Sequence, residues 1–352
     1  MSILTIGNPT VRARSEQPRA PWQAELRAAI RDPAMLAAAL GLDPTSAPAS
    51  AASAASGAAV SANFPLFVPP SYLRRIERGN PADPLLVQVW PAAAELLDAD
   101  AAGFVDDPVG DAAAALTPGL LHKYAGRALL IVTGACAVHC RYCFRRHYPY
   151  DATPPTDATW LPAVEAVARD ESINEIILSG GDPLTVTDER LAGLVERLAA
   201  IPHLARLRIH TRLPVMIPSR VTSELIDWLV GTRLTPVVVI HANHSRELDA
   251  EVAASVDRLR RAGVMLLNQA VLLRGVNDSV ESQCALSLRL VEIGVTPYYL
   301  HQLDRVRGAA HFETPIALGR QIVAEMRRRL PGYAVPRYVQ EQPGAPHKLL
   351  LA

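Results

Sequence analysis

The chain has few residues of several kinds, and each shortage excludes a class of protein. Its 352 residues include only two lysines, Lys123 and Lys348, and 35 basic side chains are balanced by 35 acidic ones. A net charge of zero argues against a broad nucleic-acid-binding surface. No stretch reaches the roughly 18 uncharged apolar residues of a membrane helix, and the N-terminal segment lacks the apolar region of a signal peptide. We therefore expect a soluble cytoplasmic protein without nucleic-acid or membrane partners.

Cysteine is also scarce, but three of the four cysteines, Cys136, Cys140 and Cys143, lie within one eight-residue window. A [4Fe–4S] cluster ordinarily takes four thiolates, so three thiolates leave one iron open to another ligand. The alternative is a structural zinc site completed by His139 or His147. Such zinc sites usually have two separated cysteine pairs, which this window lacks. Clustered, unpaired cysteines also suit a reducing compartment.

The first third of the chain differs from the rest. Apolar residues at helical spacing predict helical structure over residues 22–40. The Ala/Ser-rich tract over residues 45–62 has side chains too small to offset the entropy of ordering, which predicts a linker or a fraying helix. We expect three parts: a mainly helical extension over 1–115, a barrel over 116–312, and a C-terminal helix and tail over 313–352.

From residue 127 onward, short β-branched segments alternate with helical segments. The predicted strands are 128–133, 175–179, 206–211, 236–241, 264–272 and 297–301, and the predicted helices are 157–169, 187–200, 222–229, 247–262 and 279–293. Such alternation is typical of a parallel sheet. Right-handed crossovers would curl the sheet and place the helices outside it. The pattern therefore predicts an α/β fold, a partial (β/α)6 barrel.

Polar residues collect where these strands end. They are Gly180, Gly181 and Asp182 after the second strand, His210 and Arg212 at the third, His241 and Asn243 at the fourth, Asn268 and Gln269 within the fifth, and Asp304 after the sixth. Any one of them is more often a satisfied turn or core group. Together with the cysteines that follow the first strand, this places polar residues at or near the ends of all six strands, which is hard to explain by packing. Barrels of parallel strands carry their chemistry at this end.

These motifs are part of a wider resemblance. The Cys-x3-Cys-x2-Cys spacing resembles that of the radical S-adenosylmethionine (SAM) superfamily, whose open iron chelates SAM. Five blocks over about residues 80–348 resemble, in the same order, lysine 2,3-aminomutase. They are RALLIVTGACAVHCRYCFRRHYPY, IILSGGDPL, IHTRLPVMIPSR, LLNQAVLLRGVNDS and PYYLHQLDRVRGAAHFETP.

Within that family the chain is most similar to the short bacterial branch that makes β-lysine for the modification of elongation factor P. The likeness rests on PGLLHKYAGRALL, on YCFRRHYPY, and on an end four residues after Lys348, where the longer catabolic enzymes continue. We therefore expect the product to serve that modification.

The resemblance implies an isomerase that moves the α-amino group of L-α-lysine to the β-carbon. It also implies three cofactors, a [4Fe–4S] cluster, SAM and pyridoxal 5′-phosphate (PLP), which carry the radical chemistry that the shift requires. The expected partners are lysine, a one-electron reductant such as flavodoxin, and, functionally, elongation factor P and its lysine ligase. A homo-oligomer is an open possibility.

The resemblance further implies which residues bind PLP. Lys348 occupies the place of the lysine that forms a Schiff base with PLP, although PGAPHK has fewer glycines than the family's usual loop. By position alone, a lysine so close to a terminus would be a frayed surface residue. Lys123 and Arg127 match basic groups that bind the PLP phosphate, for which an arginine fork is well suited.

The GGD tripeptide resembles the motif that binds the methionine part of SAM. Gly180 and Gly181 would permit close approach of the backbone, and Asp182 would meet the SAM ammonium group. His241 and Gln269 are further expected cofactor-binding residues. These residue roles are implied by the resemblance.

The substrate residues are likewise implied by the family. Arg145 would bind the lysine carboxylate in a bidentate manner. Asp304 and Glu341 would bind the distal ammonium group, although the family's usual second acid is aspartate. The extra methylene of Glu341 would change the strength of substrate binding rather than the class of substrate.

Other functions are possible on the sequence. An aminomutase that acts in metabolism, on free lysine or on another amino acid such as glutamate, is the nearest enzyme alternative, although Asp304 and Glu341 would repel the second carboxylate of glutamate. A non-catalytic zinc-binding protein is the nearest alternative that is not an enzyme. The sequence also leaves open whether the substrate is free lysine or lysine already attached to elongation factor P.

Overall fold

The structure is a computed structural model that describes residues 20–42, 60, 64–97, 101–150 and 157–352. Apart from Val60, the Ala/Ser-rich tract lies outside the described residues. The three-part division of the chain stays a prediction. Among the helices of the described part, none combines the length and the apolar character needed to cross a membrane.

Ten strands form one sheet, in which each strand neighbours the next along the chain. They are β1 (Ala115–Thr117), β2 (Leu120–Tyr124), β3 (Arg127–Thr133), β4 (Glu175–Gly180), β5 (Arg206–Thr211), β6 (Thr235–Ile240), β7 (Met265–Val271), β8 (Thr296–His301), β9 (Arg337–Gln340) and β10 (Leu349–Leu350). Strands β3 to β9 run parallel, whereas β1, β2 and β3 pair antiparallel, as do β9 and β10.

The predicted α/β partial barrel is confirmed. Strands β3 to β8 are the six predicted strands, and each of their ends lies within one residue of its predicted position. Among the described residues no pairing joins β1 to β10, so the sheet is open. The two antiparallel pairs at its edges and strand β9 were not predicted.

The helices of the N-terminal part are α1 (Pro21–Arg27), α2 (Pro33–Leu40), α3 (Pro70–Leu73), α4 (Pro84–Val87) and α5 (Ala94–Leu97). The helical structure predicted over 22–40 is present as two separate helices, α1 and α2. Between them the backbone of Ile30 exchanges hydrogen bonds of 2.9 and 3.0 Å with that of Val68. Proline favours the first position of a helix, which explains why α2 begins at Pro33.

The remaining helices cross between the parallel strands. They are α6 (Asp157–Arg169), α7 (Asp188–Ala199), α8 (Leu213–Met216), α9 (Ser223–Val230), α10 (Ala250–Arg261), α11 (Val280–Glu292) and α12 (Ile316–Arg329). The helix predicted over 247–262 begins three residues later than expected. Asp249 is its N-cap and accepts a 2.9 Å hydrogen bond from the amide of Val252. Glu247 instead ends the short 3₁₀ turn Ser245–Glu247.

One apolar core joins the sheet, the outer helices and the N-terminal helices. Leu130, Leu178 and Ile209 of the sheet belong to the same buried cluster as Leu194 of α7 and Leu40 of α2. Burial of such side chains contributes roughly 1.5–3 kcal/mol each, which is the main stabilising term of the fold. The rigid sheet therefore fixes the C-terminal strand ends, where the polar residues lie.

Candidate active site

A cavity of about 550 Å³ opens at the C-terminal ends of the parallel strands. Every residue to which the resemblance assigns a role lines this cavity. These residues are Lys123, Arg127, Cys136, Cys140, Cys143, Arg145, Gly180, Gly181, Asp182, His241, Gln269, Asp304, Glu341 and Lys348. The fold therefore brings together residues that are far apart in the sequence. Asn268 does not line the cavity and instead exchanges hydrogen bonds with the backbone of Ala242.

The cysteine loop after β3 is pinned to the two glycines at the end of β4. The amide of Gly181 donates to the carbonyl of Thr133 at 2.7 Å, and the amide of Asp182 donates to that of Ala135 at 2.7 Å. A Cβ on Gly180 would lie 2.4 Å from the Thr133 oxygen, and one on Gly181 would lie 2.3 Å from the Ala135 oxygen. In this structure the glycines are therefore required by the approach of the cysteine loop.

The three thiols of this loop fit a metal cluster. Burial raises the pKa of Cys136 well above its ordinary value, and burial together with the Cys140 thiol raises the pKa of Cys143 to about 11. Loss of these protons therefore needs compensating positive charge, which cluster irons supply.

The zinc alternative has less support from the geometry. The Nδ1 of His139 lies 2.7 Å from the Pro65 carbonyl, and the Nε2 of His147 lies 3.2 Å from the Arg307 carbonyl. In the part of the chain that the structure describes, no three His, Cys, Asp or Glu side chains converge on a single-ion site. A cluster, whose irons occupy separate corners, accepts thiolates that are further apart than the ligands of one ion.

Asp182 is buried and its carboxylate is already well satisfied. It accepts hydrogen bonds from Thr211 Oγ1 at 2.8 Å and from the amides of Arg212 and Leu213 at 2.6 and 3.1 Å. Another comes from the amide of Leu184 at 3.1 Å. Burial raises the pKa of Asp182 to about 6. Asp182 thus ties the end of β4 to the end of β5, and its contact with SAM stays a prediction.

Five charged side chains form a continuous chain of ion pairs along one wall. Lys348 Nζ contacts Glu341, and Glu341 Oε1 lies 3.2 Å from Lys123 Nζ. Lys123 Nζ lies 2.7 Å from Asp111 Oδ1, and Asp111 Oδ2 accepts a 2.7 Å hydrogen bond from Arg145 Nε. The structure therefore links the predicted PLP lysine to the predicted carboxylate-binding arginine.

Among these five ion-paired residues, Asp111 is the one that the sequence analysis did not identify. It lies in an irregular segment before β1, where neither periodicity nor a motif signals a role. Although burial alone would raise its pKa, Arg145 and Lys123 hold the pKa of Asp111 below its ordinary value. Arg145 also donates from Nη1 to Ser179 Oγ at 3.2 Å. These two contacts fix the guanidinium and leave its Nη2 without a partner among the described residues.

The two acids predicted for the substrate ammonium differ in charge state. Against the effect of burial, Lys348 and Lys123 lower the pKa of Glu341 to about 2. Burial and the charge of Glu341 raise the pKa of Asp304 to about 7. The Asp304 carboxylate makes no hydrogen bond or ion pair within the described ranges. A cationic ligand would find one fixed anion and one acid that ionises when the ligand binds.

Several cavity groups fit organic cofactors. The Nε2 atoms of His210 and His301 are buried without a partner in the described part of the chain, and burial lowers the pKa of both histidines well below its ordinary value. The Nε2 of His241 lies 2.8 Å from that of Gln269. Arg127 stacks on Tyr124 at 4.8 Å. Neutral imidazoles and cations in one cavity suit a ligand with heteroatoms and a phosphate, such as PLP.

Comparison with known proteins shows which sequences this chain resembles. The family model described as the Radical SAM superfamily matches residues 130–282. The chain is 44% identical over 331 residues to an L-lysine 2,3-aminomutase of Haemophilus influenzae, covering 94% of this chain and 95% of the relative. An Escherichia coli L-lysine 2,3-aminomutase is 42% identical over 346 residues, or 98% and 96% of the two chains. One from Clostridium subterminale is 38% identical over 279 residues, or 79% and 66%.

Proposed function

This chain belongs to the lysine 2,3-aminomutase family of radical SAM isomerases, and we propose that it converts free L-α-lysine to β-lysine with the help of PLP. Enzymes of this family use a [4Fe–4S] cluster, SAM and PLP. SAM on the cluster supplies the radical that removes hydrogen, and PLP assists the movement of the amino nitrogen. We further propose that the product is used to modify elongation factor P.

The distribution of charge in the cavity carries the proposal for lysine. The guanidinium of Arg145 is held in place by Asp111 and Ser179, and its third nitrogen is free to bind a carboxylate. Asp304 and Glu341 line the same cavity and offer negative charge for an ammonium group. Glutamate would bring a second carboxylate to these two acids, and repulsion there supports lysine as the substrate.

Asp111 positions the arginine in this scheme. It accepts from the Nε of Arg145, so a substrate carboxylate would approach the end of the guanidinium fork that carries the two Nη atoms. Lys123 balances the charge of Asp111 and keeps that negative charge from repelling the substrate. Asp111 acts through Arg145 and is a positioning residue.

Lys348, Lys123 and Arg127 would hold PLP. Lys348 is one of only two lysines in the chain, and both line the cavity. The guanidinium of Arg127, without a hydrogen-bond partner among the described residues, is available for a phosphate. We assign SAM to the wall formed by Gly180, Gly181 and the cysteine loop, with His241 and Gln269 as further contacts.

The geometry favours free lysine over lysine already attached to a protein. A lysine joined through its carboxyl group has no carboxylate for Arg145, and the buried guanidinium would keep an unsatisfied charge. A separate ligase would then attach the β-lysine to elongation factor P. The similarity of the sequence blocks to the short bacterial branch supports this use of the product.

A substrate panel tests the assignment. Anaerobically reconstituted protein is assayed with SAM, PLP and a one-electron donor such as flavodoxin, with lysine, lysinamide or glutamate as substrate. We expect lysine to be turned over with a kcat/KM at least about 100-fold above that of lysinamide, which lacks the carboxylate. Faster turnover of glutamate or equal turnover of lysinamide would contradict the assigned pocket.

The cellular role needs a separate measurement. In a bacterium that carries this gene, we expect deletion to remove the β-lysyl mass from elongation factor P and added β-lysine to restore it. An unchanged mass in the deletion strain would contradict that role and would leave the activity itself unaffected.

A further inference from the structure

Arg212 links the cysteine loop to a buried network that the proposed reaction does not use. It follows β5, and its side chain is buried. Its Nη1 lies 2.6 Å from Cys140 Sγ, and its Nη2 donates to Glu247 Oε2 and to Gln88 Oε1, both at 2.8 Å. Its own amide donates to Asp182. The guanidinium therefore touches a predicted cluster ligand while its main chain holds the GGD acid.

The position of the guanidinium does not depend on Cys140. Glu247 has no exposed surface, and its Oε1 accepts hydrogen bonds from the amides of Asn243 and His244 at 2.9 and 3.0 Å. Gln88 Nε2 donates to the same oxygen at 3.1 Å. The carboxylate is thus fixed by the backbone of the loop after β6, and it fixes Arg212 in turn.

A cation held against a cluster ligand changes the redox properties of the cluster. Reduction adds one electron and therefore one negative charge to the iron–sulfur core. Hydrogen bonds to the sulfurs and nearby positive charge stabilise that reduced state, and the effect is large in a buried site. Arg212 touches the ligand sulfur, whereas Glu247 lies behind the guanidinium, so the positive charge dominates at the cluster.

We propose that Arg212, held in place by Glu247, raises the reduction potential of a [4Fe–4S] cluster bound at Cys136, Cys140 and Cys143. The inference rests on the cluster assignment in the proposed function and adds to it the group that sets the potential. One electron passes from a low-potential donor, which is oxidised by one electron, to the cluster, and no proton transfer is required. Arg212 is assigned to tuning the cluster, and neither the substrate nor PLP is assigned to it.

The pair of Arg220 and Asp188 offers a matched control. Arg220 is also fully buried, and its Nη2 lies 2.8 Å from Asp188 Oδ1. Its other hydrogen bonds in the described part of the chain go to Asp188 and to the backbone carbonyls of Leu184 and Val186, and none goes to sulfur. Asp188→Asn therefore weakens the ion pair of another buried arginine without changing the charge beside the cysteines.

The test is a potentiometric titration of the reconstituted protein, followed by electron paramagnetic resonance, without SAM, PLP or lysine. The variants are Arg212→Gln, Glu247→Gln and Asp188→Asn. At the midpoint of the unmodified protein we expect Arg212→Gln to lower the ratio of reduced to oxidised cluster at least tenfold, a shift of about 59 mV for one electron. We expect Glu247→Gln to raise this ratio and Asp188→Asn to leave it unchanged.

Opposite shifts are the signature that a merely structural role would not produce. With iron content retained, unchanged potentials or shifts in the same direction for Arg212→Gln and Glu247→Gln would overturn the inference. If Arg212→Gln loses its iron, the double variant Arg212→Gln/Glu247→Gln replaces it, because that variant leaves no unpaired buried charge. A ratio of reduced to oxidised cluster at or above that of the unmodified protein would then contradict the inference. An unmodified protein that binds no iron would instead refute the cluster assignment.

Discussion

Glu341 and Lys348 form an ion pair across the two ends of a hairpin, inside the cavity. Glu341 directly follows β9 and Lys348 directly precedes β10, and these strands pair antiparallel with Leu349 opposite Gln340. The hairpin therefore makes neighbours of two residues that are seven positions apart. If Lys348 forms the proposed Schiff base with PLP, its ammonium group would no longer pair with Glu341, and the carboxylate would become available to the ammonium group of the substrate.

Borohydride reduction tests the assignment of Lys348. Reduction of the PLP-loaded protein should attach the cofactor covalently to Lys348, because its side chain lines the same cavity as Lys123 and Arg127, the cations proposed for the phosphate. Peptide mass spectrometry reads the attachment without ambiguity, since the chain has only two lysines. Lys348→Ala should remove the label. A label found on Lys123 would show that Lys123, and not Lys348, forms the Schiff base with PLP.

The cysteine window predicts about four iron and four sulfide per chain after anaerobic reconstitution. Replacing Cys136, Cys140 or Cys143 by Ala should lower the iron content and abolish cleavage of SAM. Cys284→Ala is the control, because Cys284 is a residue of α11 and its side chain packs against the apolar core. Stoichiometric zinc without iron would refute the cluster.

Asp304 predicts a pH dependence of lysine turnover. Its pKa is raised to about 7, so below this pH most of it is protonated and must lose its proton before it pairs with the substrate ammonium. We expect kcat/KM for lysine to rise as the pH increases from about 6 to 8 and then to level off. The same profile measured on Asp304→Asn should lack this rising limb.

Asp304→Asn should also lower lysine turnover at neutral pH. Removing one partner of a buried ion pair costs roughly 3–5 kcal/mol. At about 1.4 kcal/mol per tenfold, kcat/KM should fall by about two to four orders of magnitude. The cluster and PLP spectra should survive, and unchanged lysine turnover would show that the distal pocket lies elsewhere.

Asp111→Asn tests the positioning of Arg145. Loss of a hydrogen bond between charged groups costs roughly 1.5–3 kcal/mol, so we expect KM for lysine to rise about 10- to 100-fold with a smaller change in kcat. Asp106→Asn, an exposed acid of the same segment, is the control and should leave KM unchanged. An equal fall in kcat with an unchanged KM would contradict a role in substrate binding.

The sequence predicted the barrel because its strands are regular. Strands β3 to β8 are β-branched runs that alternate with amphipathic helices, and parallel strands of this kind place their C-terminal ends together. The hairpins at the sheet edges escaped prediction, because β1 has three residues and β10 has two. Such short strands form only through their partners, and no local pattern encodes them.

The site residues divide in the same way. Cys136 and Gly180 belong to motifs with fixed spacing, so the sequence alone points to them. Asp111 and Glu247 owe their places to contacts between distant segments. Glu247 was assigned to a helix, yet its carboxylate accepts backbone amides of the turn before that helix and binds Arg212. Their roles follow from tertiary geometry, which a single sequence does not encode locally.

The most direct test of the central claim follows one labelled atom. Lysine carrying ¹⁵N at the α-amino group is incubated anaerobically with the reconstituted protein, SAM, PLP and a reductant, and the product is examined by nuclear magnetic resonance. We predict β-lysine with the label on the β-carbon and without exchange with unlabelled ammonia, because the nitrogen moves within one molecule. Unchanged lysine, or label released as ammonia, would contradict the assignment of this chain as a lysine 2,3-aminomutase.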